Sequence, residues 1–389
     1  MLGSPRFTPL SGRTSYGASR SRRVKVVVAP KTTDPVVADT TPNNPFERAG
    51  LGLLKDPRDL IFLRVMAKIS AIVLPLATLM FMSEPWVVAL MAFPYIGYVF
   101  LNFGGRFGLM LHANGHRPIF KRKYSFLSHY VPFVLGPFLG HTPTSFAAHH
   151  MQMHHAENNM HDDNSTTLTY RRDTFTQFLH YWARFFFFGH IHLMRYLWLR
   201  GKKNTFRSFV FGELVWFALA GTALYINWAA AIVVFILPML MMRWLMMAGN
   251  WAQHSFVDVT DPNNSYRNST ILMNSSYNHK SYNDGYHIIH HLQPGLHWSE
   301  MAQYFQDHPE EFAEQDCLVF DGIQDNQAVW FLLMRGNYDK LARHLVNFKG
   351  RTHEELVALL KERAQRTLGH RRGIVEFEPA LPKESIAAK

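Results

Sequence analysis

Residues 86–116 read WVVALMAFPYIGYVFLNFGGRFGLMLHANGH. Residues 86–111 are almost entirely apolar and match the roughly 20 residues that a helix needs to cross the hydrocarbon core of a bilayer. The stretch ends in His112 and His116, four positions apart. On a continuing helix, both rings would project from one face, one turn apart. The segment therefore predicts a membrane span with a pair of candidate metal ligands at its end.

Three further apolar stretches have a similar length. Residues 66–82 precede the first stretch with only Ser-Glu-Pro between them, and residues 208–226 and 228–249 are separated by Asn227 alone. Short polar connections between long apolar runs predict two helical hairpins. A soluble all-α protein with these helices in its core is the alternative, but four helices that are apolar all round would need a very large apolar shell.

Two other apolar regions differ from the four predicted spans. Residues 130–146 are interrupted by glycine and proline, so we predict an interfacial or re-entrant segment. Residues 178–199 are expected to form an amphipathic helix at the membrane surface. The histidines of this helix are interpreted as interfacial polar positions and not as ligands: His180, His190 and His192.

The distribution of positive charge predicts the topology. The two hairpin connections contain no Lys or Arg, whereas basic residues flank the other ends of the spans. Both termini and nearly all of the polar residues should therefore face one compartment, the cytosol or the stroma. Arg243, late in the fourth predicted span, is expected to extend its long side chain toward that side.

The N-terminal region is expected to differ from the rest of the chain. The net charge is +11, and seven basic residues precede the first acidic residue, Asp34. Because the charge is concentrated in this tail, nucleic-acid binding is not indicated. The Ser- and Arg-rich composition is typical of an organellar transit peptide, with a basic arm that stays attached as the alternative. We predict a disordered tail over 1–50, a catalytic domain over 51–300 and a helical cap extension over 301–389.

Histidines occur in four clusters on the same predicted side of the membrane. Besides His112 and His116, the sequence HHMQMHH contributes His150, His154 and His155, GNWAQH contributes Asn250 and His254, and YHIIHH contributes His287, His290 and His291. Neutral imidazole binds iron, zinc, copper and nickel, and about nine imidazoles exceed what one ion accepts. The chain has one cysteine, Cys317, so a sulfur-based site is not indicated. The clusters therefore predict two metal ions.

The three boxes HANGH, HHMQMHH and YHIIHH, with one helical hairpin before the first and another between the second and third, resemble the membrane-bound fatty acid desaturase and hydroxylase superfamily. The resemblance covers roughly residues 51–300. It implies an all-α integral membrane protein with four transmembrane helices in two hairpins. It also implies a helical cap, facing the cytosol or stroma, that carries a His-rich diiron site.

The same resemblance implies the identity of the ligands. The expected iron ligands are the histidines of the three boxes and of the fourth span: His112, His116, His150, His154, His155, His254, His287, His290 and His291. Asn250 is expected to contact an iron through water. His149 competes with His150 as the first member of the second box, but His150 is preferred because it keeps the i, i+4 relation with His154. His297 lies beyond the third box and is expected to be structural or to support a ligand.

The expected chemistry is O2-dependent oxidation of a lipid acyl chain with two Fe ions. Desaturation is expected, and hydroxylation or ketolation of a fatty acid, carotenoid or alkane is the alternative. No His-Pro-Gly-Gly haem motif is present, so electrons should come from a separate donor: ferredoxin in a plastid membrane, which the tail favours, or a small b-type cytochrome in the endoplasmic reticulum. A metal transporter or a His-rich receptor is the alternative of another class, against which four predicted spans argue.

Overall fold

The computed structural model describes residues 30–366 and contains four helices that are long and apolar enough to cross a membrane. They span Pro57–Phe81, Pro85–His116, Lys203–Ile226 and Trp228–Gln253, and we call them spans 1 to 4. They form the two predicted hairpins. The Asn227 amide donates to the backbone oxygen of Ser83 at 2.9 Å, so the two hairpin turns meet at one end of the bundle.

Spans 2 and 4 each contain a π-helical turn. In span 2, the turn Phe100–Gly104 separates the α-helices Pro85–Val99 and Gly105–His116. In span 4, the turn Ile232–Ile236 lies between Trp228–Ala231 and Leu237–Gln253. Span 1 consists of a 3-10 turn, Pro57–Asp59, and the α-helix Leu60–Phe81, and span 3 is one uninterrupted helix, Lys203–Ile226.

The segment between spans 2 and 3 is broken where glycine and proline predicted it. It contains the short helical elements Arg122–His129, Val131–Leu135, Gly136–Phe138, Ser145–His149, His150–His154 and His155–Glu157. Gly140 has φ +83°, and a Cβ there would lie 2.1 Å from the backbone oxygen of Pro238, so the segment packs directly on span 4. The predicted amphipathic helix follows as Phe175–Leu199.

The polar end of the bundle carries a cap that is helical except for one small sheet. Its helices are Ser265–Asn268, His287–Leu292, Trp298–Glu300, Met301–Asp307, Pro309–Glu314, Asn326–Met334, Tyr338–Arg343 and His353–Arg363. Strand β1 (Thr270–Met273) pairs in parallel with β2 (Leu318–Asp321). The all-α prediction missed this sheet because two strands of four residues carry too little periodicity to be recognised.

The sheet joins the two sides of the expected boundary at residue 300. Since β2 lies after residue 300 and β1 before it, residues 301–366 and the preceding region form one cap. Thr352 starts the last described helix with a capping box to Glu355. Residues 367–389, the rest of the expected C-terminal extension, lie outside the described part.

The folded part begins earlier than predicted. We expected it to start near Leu51, but Pro45–Leu51 is a helix, and Asp34 is only 4% exposed. Asp34 accepts hydrogen bonds from the backbone N–H of Asn274 at 2.7 Å and from the Tyr286 hydroxyl at 2.8 Å. Low hydrophobicity suggested disorder, whereas these residues are ordered by polar contacts with the cap. The proposed transit peptide lies largely in residues 1–29, outside the described residues.

Candidate metal centre

Nine histidines converge where the spans meet the cap, and they form two groups. The five-histidine group consists of His112, His116, His150, His155 and His290, and the four-histidine group consists of His154, His254, His287 and His291. Within each group, the candidate ligand atoms all lie within 4.8 Å of one another. The structure thus brings together nine of the ten residues predicted as a metal site.

The five-histidine group is organised around His290. The His290 Nε2 atom lies 2.7 Å from His112 Nε2, 2.8 Å from His155 Nε2 and 3.4 Å from His150 Nε2. Span 2, the second box and the third box each contribute ring nitrogens to this point. The Nε2 atom of His116 is buried and has no hydrogen-bond partner among the described residues.

The four-histidine group lies beside the first. His287 Nε2 is 3.2 Å from His254 Nε2 and 3.1 Å from His291 Nε2. The ring centroids of His155 and His291, which belong to different groups, are 4.7 Å apart. The two groups are therefore neighbouring parts of one centre.

The second histidine box is a π-helical turn, His150–His154. The N–H of His155 bonds to the carbonyl of His150, and the Nε2 atoms of these two residues are 3.0 Å apart. His150 and His155 therefore share one group, while His154 belongs to the other. His150 was preferred over His149 because of its i, i+4 relation with His154. The structure does place His150 in a group. Its partner in that group is His155, at i, i+5, and not His154. A π-turn at a functional site is a recurring feature of helices.

The spacing of the nitrogens fits metal coordination. Metal–imidazole bonds of about 2.1 Å place neighbouring ligand nitrogens about 3 Å apart around one ion. Within the groups, the closest Nε2 pairs are separated by 2.7–3.4 Å. Neutral imidazoles packed this closely cannot all satisfy one another by hydrogen bonding, because two unprotonated nitrogens repel. A cation in each group would resolve this conflict.

Burial favours the neutral form that metals bind. Desolvation lowers the pKa of His254 to about 3 and holds the pKa of His287, His290 and His291 well below the usual value. Neighbouring histidines lower these pKa values further. The rings therefore offer lone pairs to a metal at neutral pH.

Several ring nitrogens on the far side of the centre are held by acceptors. His112 Nδ1 lies 2.9 Å from Asp284 Oδ1, His154 Nδ1 lies 2.6 Å from Asp163 Oδ2, and His254 Nδ1 lies 2.8 Å from the carbonyl of Asn268. These contacts fix which nitrogen carries the proton and direct Nε2 toward the centre. The two acids were not predicted, because neither the nine positions from His154 to Asp163 nor the much longer separation of His112 and Asp284 forms a recognisable pattern in the sequence.

Asn250 lies one turn before His254 and is not part of either group. Its amide donates to the backbone oxygen of Ser165 at 3.0 Å and to the Tyr181 hydroxyl at 2.8 Å, and the residue borders the cavity described below. These two bonds orient the amide and leave its oxygen available. The predicted water-mediated contact with a metal stays a prediction.

The remaining histidines separate into structural and polar positions. His297 is completely buried, and its ring contacts Asp59 at 3.1 Å and Ser299 at 2.8 Å, so it fastens the cap to span 1. His180 is exposed, and His192 contacts Asn164. His190 was expected at the membrane surface, but its Nδ1 lies 2.7 Å from the Glu213 carboxylate of span 3.

A cavity of about 690 Å³ extends from the histidines into the membrane part of the protein. Spans 2 and 4 form two of its walls, and four methionines line the span 4 side: Met241, Met242, Met246 and Met247. At Gly105 and Gly249, an added Cβ would meet no atom within 4 Å, so these positions leave the space open. The volume lies within the range of about 300–1,000 Å³ that is typical of small-molecule sites.

The fold and this centre define a class of membrane protein in which paired histidine groups lie next to an apolar cavity. A comparison with protein families agrees with this class: the fatty acid desaturase family matches residues 84–322. The chain belongs to this family. No curated protein sequence and no solved structure shows a significant match.

Proposed function

We propose that this protein is an O2-dependent, non-haem diiron desaturase that introduces a double bond into a lipid acyl chain. Family membership supports desaturase or hydroxylase chemistry, and the observation that carries the finer proposal is the pair of histidine groups at the end of an apolar cavity. When bound, two irons supply the activation of O2 that an unreactive C–H bond requires, which side-chain acids and bases cannot provide.

We propose that the nine histidines of the two groups bind the two irons and that Asn250 contacts an iron through water. The protein itself positions the ligands and the substrate. The acids that hold His112 and His154 orient the rings, and the apolar walls of spans 2 and 4 keep an acyl chain aligned and exclude water. Four apolar spans agree with an integral membrane protein.

The electrons are proposed to come from a separate protein. A plastid membrane with ferredoxin as donor is the favoured setting, and the endoplasmic reticulum with a small b-type cytochrome is the alternative. Co-expression with each donor distinguishes them: only the matching donor should support turnover above background.

Product analysis tests the reaction. Expression with a matching donor should create one double bond at a fixed position, dependent on O2 and abolished in His154→Ala, which removes a ring of the four-histidine group. His180→Ala is the matched control, because His180 lies outside both groups and should leave the product unchanged. If the main product is instead an alcohol that carries oxygen-18 from labelled gas, the protein is a hydroxylase of the same fold and the desaturase proposal is wrong.

A further inference from the structure

The membrane part of the cavity contains charged and polar side chains that an acyl chain alone does not require. Arg243 of span 4 and His141 and Thr142 of the broken segment all border it. An ionisable residue inside a membrane protein is costly, and it is retained where it has a partner and a role. Arg243 was expected to extend toward the cytosolic or stromal side, and its guanidinium contacts Phe186 and His190 of the helix Phe175–Leu199.

Arg243 is held by a chain of contacts across three elements. Its Nη2 donates to His190 Nε2, and His190 Nδ1 lies 2.7 Å from Glu213 Oε2, although this approach is too poorly aligned for a hydrogen bond. The other Glu213 oxygen accepts a 2.5 Å hydrogen bond from the Thr142 hydroxyl. Glu213 therefore balances the charge of Arg243 through His190, and the guanidinium is fixed beside the cavity.

Two donors remain without acceptors in this region. Arg243 donates from Nη1 to the carbonyl of Phe186 and from Nη2 to His190, which leaves Nε–H without an acceptor among residues 30–366. His141 is 7% exposed, and its Nε2 has no hydrogen-bond partner in the described structure. For the buried His141 atom, the lack of a partner costs free energy, so a ligand that supplies the partner binds with a gain. Arg243 borders the cavity, so its Nε–H can donate to a ligand there.

His141 is fixed in position by aromatic rings. Its ring centroid lies 5.7 Å from that of Phe107 and 5.9 Å from that of Phe146. Because the ring is kept from water, its neutral form is favoured, and the ring nitrogen that carries the hydrogen can donate to an oxygen in the cavity.

We propose that Arg243 and His141 form a polar subsite for a neutral oxygen function, a hydroxyl or carbonyl, on the lipid substrate. This inference rests on the proposed function, and it specifies the substrate class as an oxygenated chain. A carboxylate fits less well, because Glu213 already balances Arg243 and a second anion would leave a net charge in a poorly solvated site.

The position of the subsite along span 4 specifies where the oxygen lies. Arg243 precedes Asn250 by seven residues, or two helical turns, so both side chains lie on one face of the span. At a rise of 1.5 Å per residue, the separation is about 10 Å. The oxygen function would thus lie about 10 Å deeper in the membrane than Asn250.

Ligand binding to the full-length protein in lipid nanodiscs tests the subsite. Thermal unfolding would be followed with hexadecane, hexadecanol and hexadecanoate, and empty nanodiscs would correct for partitioning. We expect hexadecanol to bind about tenfold more tightly than hexadecane, the effect of one net hydrogen bond, and hexadecanoate to show no advantage. Equal stabilisation by hexadecane and hexadecanol, or the strongest stabilisation by hexadecanoate, would overturn the proposal.

Substitutions at His141 make the test specific. His141→Leu should abolish the preference for hexadecanol without weakening hexadecane binding, and His141→Gln, which keeps an N–H donor, should retain it. His129→Leu is the control, because His129 is exposed and lies outside the cavity lining. A preference that survives in His141→Leu contradicts the subsite. Since no turnover is needed, hexadecanol binding without any alkene product would refute the reaction and leave the subsite standing.

Discussion

The two histidine groups differ in number and in burial. The four-histidine group has three buried members, His154, His254 and His287, whereas two of the five histidines in the other group, His116 and His155, are only partly buried. The smaller group also has two rings held by outer acceptors, Asp163 and the carbonyl of Asn268. It offers four imidazoles, while the larger group offers five. Removal of one ring should therefore affect the two groups unequally.

The largest effect is expected from His291→Ala. Only three imidazoles would remain in the four-histidine group, so one metal ion per chain should be lost and activity should fall by more than the roughly 10- to 100-fold cost of losing an outer partner. Metal analysis of the purified protein and product formation measure the two effects, with His180→Ala as control. Full metal content in His291→Ala would contradict the assignment of this group.

His116→Ala should have a smaller effect on metal content and activity than His291→Ala. Four imidazoles would remain in its group, so we expect both ions to be retained and activity to fall by roughly 10-fold, because the coordination sphere changes but stays occupied. The same metal analysis applies. If His116→Ala loses an ion as readily as His291→Ala, the two groups do not differ in their tolerance of losing one histidine.

Asp163→Asn tests the outer contacts. The carboxylate accepts from His154 Nδ1 at 2.6 Å and from the Ser165 hydroxyl at 2.7 Å, so the amide would weaken the orientation of His154 and lower metal affinity about 10-fold or more. Metal retention during titration with a chelator measures the change in metal affinity. Asp173→Asn is a matched control, since Asp173 contacts Arg171 and Tyr338 instead of a histidine of either group. Equal chelator sensitivity in both variants would show that Asp163 does not support metal binding.

The smallest effect is expected from surface cysteines that report sidedness. Met82, at the turn of the first hairpin, is 81% exposed, and the native Cys317 is buried. Met82→Cys should react with an impermeant maleimide from the compartment opposite to that of Lys203→Cys, with activity unchanged. Labelling of both variants from the same side would refute the topology in which all histidines face the cytosol or stroma.

Local patterns explain how much could be predicted from the sequence. The four spans are long apolar runs, and the nine histidines occur in short boxes, so both signals lie within a few residues of one another. Asp163 and Asp284 could not be assigned, because each is a single acid among the 29 of the chain. The contacts of Arg243 were missed for a related reason: its partners, Phe186 and His190, lie more than 50 positions earlier. In one sequence the residue is indistinguishable from a snorkelling arginine.

The contacts between the cap's sheet and the N-terminal segment have a consequence for the order of assembly. The segment that carries His287, His290 and His291 follows β1, which is paired to β2 near residue 320. Asn274, the residue after β1, donates its backbone N–H to Asp34, some 240 positions earlier. Such distant contacts form only after the intervening chain is available. During synthesis, the first two boxes therefore emerge long before the third can be held in place. We expect metal to be captured at the end of biogenesis, so that a truncated chain lacking β2 carries no complete centre and cannot begin oxidation prematurely.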